Sequence, residues 1–359
     1  MRIAVLGVGL IGGSIGLAAR QRLEAEVTGY DPSAEVLARA LQLGAVSEVA
    51  SSVADACAGA ELVFCAAPVA DLPDLGREAL AASGAGVAVT DVGSTKQEIV
   101  ERLGHEARFV GGHPLAGAET AGVEHARPEL FEGARWYLTP TENTEGIALD
   151  RLQRAISELG ARPQAIGAGA HDSMMATISH LPHAIANVLA GQAAARLGEG
   201  AERLPEVGPS FRDTTRVAGA NPAIWGDIFA SNGPAVAAEI DAIVQRLEEA
   251  ARLLRSGDAE ALAAWHRDAG ASRRELLDAK LEGGALRELR IRVQNRPGVL
   301  AELALALGNA NVNIEDMSLS PAADMRSGAI SVWVAGEQEA ERAAGLVRGL
   351  GHDVSLVAA

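Results

Sequence analysis

The stretch Arg2-Ile3-Ala4-Val5-Leu6-Gly7-Val8-Gly9-Leu10-Ile11-Gly12-Gly13-Ser14 decides the fold. The apolar run Ile3 to Leu6 leads into the spacing G-x-G-x-x-G over Gly7, Val8, Gly9, Leu10, Ile11 and Gly12. Alone, that spacing is a weak signal. Between a strand and a helix opening near Leu10, it specifies a dinucleotide-binding turn. Gly7 permits the tight turn, Gly9 lets a pyrophosphate approach the backbone, and Gly12 lets helix and strand pack closely. Free N–H groups and the helix dipole favour the diphosphate's negative charge. Asp31 ends a second run, Glu26-Val27-Thr28-Gly29-Tyr30, where a carboxylate can accept both ribose hydroxyls. Neither Arg nor Lys occurs in Asp31-Pro32-Ser33-Ala34-Glu35, so a 2′-phosphate would meet repulsion without compensation. The expected cofactor is NAD rather than NADP.

Outward from this turn, Leu62-Val63-Phe64-Cys65, Val87-Ala88-Val89-Thr90 and Phe109-Val110 are further strand-like runs, each ending near Gly, Pro or Asp. The spacing between most of them accommodates a crossover helix, which predicts a parallel sheet with helices on both faces. Trp136-Tyr137-Leu138 and Gln164-Ala165-Ile166 extend it. From His171 to about Glu282 the pattern turns helical, punctuated by Pro182, Pro205, Pro209, Pro222 and Pro234. Val236, Ile240, Val244 and Leu247 fall on one face of a helix over Ala235 to Leu254. Ser173 to Ala195 runs 23 residues without Asp, Glu, Lys or Arg, long enough to span a bilayer. It also holds His180, Pro182, His183, Asn187 and Gln192, which are costly in lipid, so it reads as a buried helical segment.

After Gly283-Gly284, Leu289, Ile291 and Val293 alternate as a strand. A turn at Asn295-Arg296-Pro297-Gly298 precedes a helix over Val299 to Asn309. Strands at Asn313 to Leu319 and Gly328 to Ala335, a helix near Gln338 to Leu350 and a strand at Val354 to Val357 complete a βαββαβ order. That order is ferredoxin-like. The fold class is therefore α/β: a Rossmann-like dinucleotide-binding domain at 1–168, an all-α second domain at 169–283 and a ferredoxin-like domain at 285–359.

Composition narrows the partners. Asp and Glu number 47 against 31 Lys and Arg, a formal charge of −16, which repels phosphate backbones and anionic lipid. Neither nucleic acid nor a membrane surface is expected. Lysine occurs only at 96 and 280, so arginine must supply the cations of any anion pocket. Cys57 and Cys65 are too few to staple a chain of 359 residues, and they lack the His spacing of a zinc site. A reduced cytoplasmic setting is expected.

Chemistry belongs after the later strands, where open α/β sheets place their clefts. Asp91-Val92-Gly93-Ser94-Thr95-Lys96 follows one strand and Gly111-Gly112-His113-Pro114-Leu115-Ala116-Gly117 follows the next. His113, flanked by Gly-Gly and Pro, is expected to face the cleft. An imidazole with an unperturbed pKa of ~6.5 is largely neutral and able to accept a proton at physiological pH. His180 and His183 in Ser179-His180-Leu181-Pro182-His183 share a helix face, but no nearby carboxylate or Cys completes a metal set, so no metal is expected. Arg212 and Arg216 in Phe211-Arg212-Asp213-Thr214-Thr215-Arg216 fit a carboxylate clamp and a surface salt-bridge patch equally well.

Taken together, these motifs resemble prephenate dehydrogenase over residues 1 to about 282, and residues 285–359, with Asn311-Val312-Asn313-Ile314, resemble an ACT domain. The resemblance implies oxidative decarboxylation of prephenate to 4-hydroxyphenylpyruvate, CO2 and NADH in tyrosine biosynthesis. It implies His113 as the catalytic base and Ser94 as its support. Arg216, with Arg212, would bind substrate in a pocket lined by His183 and His180. It also implies a homodimer formed through the helical domain, and tyrosine binding near Asn295, Gly298 and Val299 that inhibits the enzyme. An ACT domain serving only as a dimerisation platform is the alternative there. Glu119 and Asp213 are candidates to gate the cleft mouth. Pro209 in Gly208-Pro209-Ser210 stiffens the approach to the Phe-Arg-Asp motif, which keeps arogenate or dual cyclohexadienyl specificity open. A catalytically inactive amino-acid sensor would not need Ser94, His113, His183 and Arg216 together. A β-hydroxyacid dehydrogenase would need a helical-domain lysine, and neither Lys96 nor Lys280 is placed for it.

Overall fold

The computed structural model describes residues 1–117, 120–198, 206–278, 286–294, 299, 302–303, 306–307, 310, 312, 314, 316–321 and 327–357. It divides into two compact units, Met1–Gln245 and Arg246–Ala359.

The first unit is built on an eight-stranded sheet: β1 (Arg2–Leu6), β2 (Glu26–Tyr30), β3 (Glu48–Val49), β4 (Leu62–Cys65), β5 (Ala88–Asp91), β6 (Phe109–Pro114), β7 (Arg135–Thr139) and β8 (Arg162–Ala165). Their spatial order is β3-β2-β1-β4-β5-β6-β7-β8. The first six are mutually parallel, and the order reverses between β1 and β4, where α/β sheets bind ligands. Crossovers are made by α1 (Leu10–Arg22), α2 (Ala34–Gln42), α3 (Val53–Cys57), α4 (Leu72–Ala82) and α5 (Gln97–Leu103). Side chains alternate across β1: Ile3 and Val5 enter one apolar core, Ala4 and Leu6 the core on the opposite face. The expected parallel sheet holds except at β7, which runs antiparallel to β6. Between Pro114 and Arg135 the described chain makes only short 3₁₀ turns, and without a crossover helix the strand returns antiparallel. α6 (Gly146–Glu158) then restores a parallel β8.

The helical part continues through α7 (Ala168–Met175), one π-helical turn (Ala176–His180), α8 (Leu181–Gly198), α9 (Pro209–Thr215), α10 (Pro222–Ser231), α11 (Gly233–Ser256) and α12 (Ala259–Asp278). Pro182 explains the wide turn: it has no N–H for the Ile178 carbonyl and its ring crowds the preceding turn. The charge-free segment is buried at Met175, Ala176 and His180 but not along α8, where Ala186 alone is buried and Val188 is 68% exposed. The expectation of a wholly buried helix is corrected: α8 presents an apolar face to the outside of the single chain. Among the described residues no helix is long and apolar enough to cross a membrane. The predicted stripe on α11 has the same character, with Val236 buried and Ile240, Val244 and Leu247 exposed. Pro209 is not a loop residue; it opens α9 at the first helical position, where its fixed φ is already helical.

In the second unit, β9 (Leu286–Gln294), β10 (Asp316–Pro321), β11 (Ser327–Ala335) and β12 (Asp353–Leu356) form an antiparallel sheet in the order β10-β11-β9-β12. Leu289, Ile291, Ile330 and Val332 pack against Ala343 and Val347 of α13 (Glu337–Gly349). The predicted turn at 295–298 and much of the predicted helix at 299–309 lie outside the described residues.

Candidate active site

The glycine turn has the shape the spacing predicts. Gly7 adopts φ +94°, and a Cβ there would run into the carbonyl of Ala66. A Cβ on Gly12 would collide with the carbonyl of Gly7. Gly9, by contrast, caps α1 and faces open space: a Cβ there would meet nothing within 4 Å. The first turn of α1 carries no acidic side chain, and no side chain caps it, so its leading N–H groups are available to an anion. At the end of β2, the two Asp31 oxygens accept from the N–H of Val8 (3.0 Å) and of Ser33 (3.0 Å), which fixes the carboxylate beside the turn. Open space at Gly9, a bare helix start and a fixed carboxylate fit a dinucleotide.

Beyond the ends of β5 and β6 lies a desolvated polar cluster. Asp91 closes β5, accepting from the N–H of Gly112 (3.0 Å) and of Gly93 (2.8 Å) and pairing with the Lys96 ammonium. Lys96 is wholly buried; burial pushes its pKa down while Asp91 opposes the shift. His113, near the end of β6, lies opposite Tyr137 in the strand register. Its Nδ1 is 2.9 Å from Nε2 of His171. His171 Nδ1 lies 2.8 Å from Asp172 Oδ1. Burial holds the His113 pKa well below its ordinary value, assisted by His171, Lys96 and His180. The ring is therefore neutral at physiological pH. Asn232 closes the cluster, donating to the Asp172 carbonyl (2.8 Å) and lying 3.0 Å from His180 Nδ1.

Two cavities adjoin this cluster. One, of about 280 Å³, is lined by Ser94, His113, Met175, Ser179, His180 and Trp225 among others. The Ser94 hydroxyl has no protein hydrogen-bond partner among the described residues. The other, of about 610 Å³, is lined by His183, Arg216, Asn221 and Trp225. Trp225 borders both and stacks on His183, ring centroids 3.4 Å apart. The Ser179 carbonyl can only accept, so His183 donates to it from Nδ1 (3.0 Å).

The fold thus gathers Ser94, His113 and His180 around one cavity, and His183 and Arg216 around its neighbour. Arg212 is not gathered. It is exposed and pairs with Glu206 at 3.7 Å, so the surface half of the earlier even choice describes it. The Val299 side chain is buried in the core of the C-terminal unit. Asn295, Gly298 and Glu119 lie outside the described residues. Sequence reasoning missed Lys96, His171, Asp172, Trp225 and Asn232 as site residues. The adjacency of His171 and Asp172, and the rarity of lysine, were the signals available for three of them.

Burial lowers the pKa of His180 to about 4 and that of His183 as well. An unfolded chain binds these protons near ~6.5, so stability falls as pH drops from ~6.5 toward 4, because only the unfolded state gains protons there. Urea midpoints measured across that window should decline steadily; a flat profile would contradict the burial of these rings.

Three family models match the chain. "Prephenate dehydrogenase, nucleotide-binding domain" matches residues 15–164, "Prephenate dehydrogenase, dimerization domain" residues 167–268, and "ACT domain" residues 287–344. A prephenate dehydrogenase of Bacillus subtilis is 31% identical over 95% of this chain and 94% of its own. A cyclohexadienyl dehydrogenase of Zymomonas mobilis is 33% identical over 72% of this chain and 90% of its own. The solved prephenate dehydrogenase of Aquifex aeolicus, in complex with hydroxyphenyl propionate and NAD+, superposes with a TM-score of 0.73. It is 29% identical and covers 77% of this chain and 98% of its own. With a relative above 30% identity matched end to end, and a histidine-bearing cleft where such a sheet places one, the chain belongs to the prephenate dehydrogenase family.

Proposed function

We propose that this chain oxidatively decarboxylates prephenate to 4-hydroxyphenylpyruvate in tyrosine biosynthesis. One observation carries the reading: a neutral, desolvated His113 shares a cavity with Ser94, beside a cavity that holds Arg216 and His183. Bound at the glycine turn, NAD supplies the hydride acceptor. His113 takes the proton of the ring 4-hydroxyl as C4 gives up its hydride, and Ser94 steadies that hydroxyl. The electron pair of the bond to CO2 then enters the ring, and the ring oxygen regains a proton from His113. Aromatisation drives the step, so the protein's task is positioning and proton transfer. Arg216 holds the side-chain carboxylate, and His183 lines the pocket beside it.

Arg216→Ala should raise KM for prephenate by ~10–100-fold, the worth of a charge-assisted hydrogen bond, while the KM for NAD holds. An unchanged KM in steady-state kinetics removes Arg216 from the substrate site.

A dual or arogenate specificity is the second reading, favoured by the cyclohexadienyl dehydrogenase relative. Against it, no carboxylate is among the described residues lining the Arg216 cavity, so an amine there would meet no opposite charge from them. The exposed faces of α8 and α11 support a homodimer formed through the helical domain, which we bound at 169–283, between the nucleotide domain at 1–168 and the ACT domain at 285–359. Tyrosine inhibition through that last domain is part of the same proposal. Cys57 and Cys65 are free and buried, in keeping with a reducing cytoplasm.

The test is initial NADH formation from NAD with prephenate or arogenate, with and without tyrosine. Prephenate turnover suppressed by tyrosine supports the reading whole. Preference for arogenate moves the error to the side-chain pocket, and no turnover with either leaves an inactive sensor.

A further inference from the structure

A base must present a lone pair, and which nitrogen of His113 carries its proton decides whether it can. The hydrogen bonds around Asp172 settle this. Its Oδ1 accepts from the backbone N–H of Lys96 (2.7 Å) and its Oδ2 from that of Gln97 (2.8 Å). A carboxylate whose two oxygens both receive N–H donors serves as an acceptor. The His171 nitrogen 2.8 Å from Oδ1 must therefore be the protonated one, since two acceptors at that distance would repel. With the proton on Nδ1, His171 Nε2 bears a lone pair. That lone pair faces His113 Nδ1 at 2.9 Å, so His113 Nδ1 is in turn the donor. The remaining nitrogen of His113, Nε2, is left with the lone pair.

We infer that His171 and Asp172 are positioning residues that lock His113 in the tautomer able to act as a base, acting through a three-group chain from carboxylate to imidazole to imidazole. The inference rests on the reading of His113 as the base. It also resolves a conflict in the site. From the sheet side His113 faces the Lys96 ammonium, neutralised by Asp91, and Tyr137; from the helical side it faces His171 and His180, with Asp172 behind His171. A cation on His113 is disfavoured there by burial and by Lys96. When His113 Nε2 takes the hydroxyl proton, the Nδ1–H bond toward His171 places the new charge in line with the Asp172 carboxylate.

The experiment is ¹⁵N spectroscopy of the full chain labelled at histidine, with the His113 signals assigned by their loss in His113→Asn. The expected wild-type spectrum has His113 protonated at Nδ1 and bare at Nε2. Asp172→Ala removes the acceptor that keeps the proton on His171 Nδ1; that proton is then free to sit on Nε2 against His113 Nδ1, which turns His113 over. His113 should then be protonated at Nε2, with kcat down ~10³–10⁴-fold and the KM for prephenate nearly unchanged. A wild-type His113 protonated at Nε2 overturns the inference, and needs no variant. So does an Asp172→Ala enzyme that keeps its kcat, or one that loses activity with the His113 tautomer unchanged, which would make Asp172 merely a support of α5. If instead His113→Asn keeps its turnover, it is the base assignment that has failed, whatever the tautomer.

Discussion

His113→Asn lowers kcat for prephenate by ~10²–10⁴-fold, the share of a barrier that one positioned base carries. The amide is close to imidazole in size and can still hydrogen-bond His171 and a substrate hydroxyl, so binding and folding survive while proton transfer does not. The acid limb of the wild-type profile lies below pH ~6.5, because burial, assisted by His171, Lys96 and His180, keeps the ring neutral well below its ordinary pKa. In the variant that limb disappears from kcat/KM. Near-normal turnover, measured as NADH formation at saturating prephenate and NAD, ends the role of His113.

Lys96→Met has the largest expected effect on stability. Lys96 and Asp91 have side chains 0% and 1% exposed, and removing one member of such a pair strands the other. The expected loss is about 3–5 kcal/mol. For a unit of this size, that lowers the melting transition by roughly 10 °C. Asp91 keeps its bonds from Gly93 and Gly112, which hold the loop but do not neutralise its charge. The double variant Asp91→Asn with Lys96→Met should recover part of the loss. The variant has a second signature: without the ammonium, the His113 pKa rises toward its ordinary value, and the acid limb of kcat/KM moves to higher pH. Calorimetry showing an unchanged transition would mean that the pair is not buried in solution.

What could be read from sequence was whatever local spacing encodes. The glycine turn is a contiguous geometric device, and its three glycines meet the steric limits that the spacing implies. His113 was readable because a strand end is a local feature. The relay behind it was not: His113 and His171 are 58 residues apart, and Asp172 reaches the backbone of Lys96 across 76. No periodicity records such a contact. Arg212 and Arg216 differ for the same reason, since only tertiary placement puts one against Glu206 and the other in the cavity wall. The charge-free segment that becomes α8 was rightly read as apolar and wrongly as interior, because hydropathy does not distinguish a core from a surface awaiting another chain. The reversal of β7 followed from a missing crossover helix, a negative feature that strand propensity does not register.

Asp172 sits on α7, yet it also caps the start of α5 in the nucleotide-binding half, and Thr95 bonds Ser231 across the same seam at 2.9 Å. A single carboxylate is thus the mooring of one half on the other as well as the far end of the chain behind His113. Any gape at this seam slackens that chain at the same moment, so a parted site is a disarmed one. Chimeras that exchange the nucleotide-binding half between relatives should accordingly break at the α5–α7 seam rather than at the strand edges, unless α7 travels with the graft.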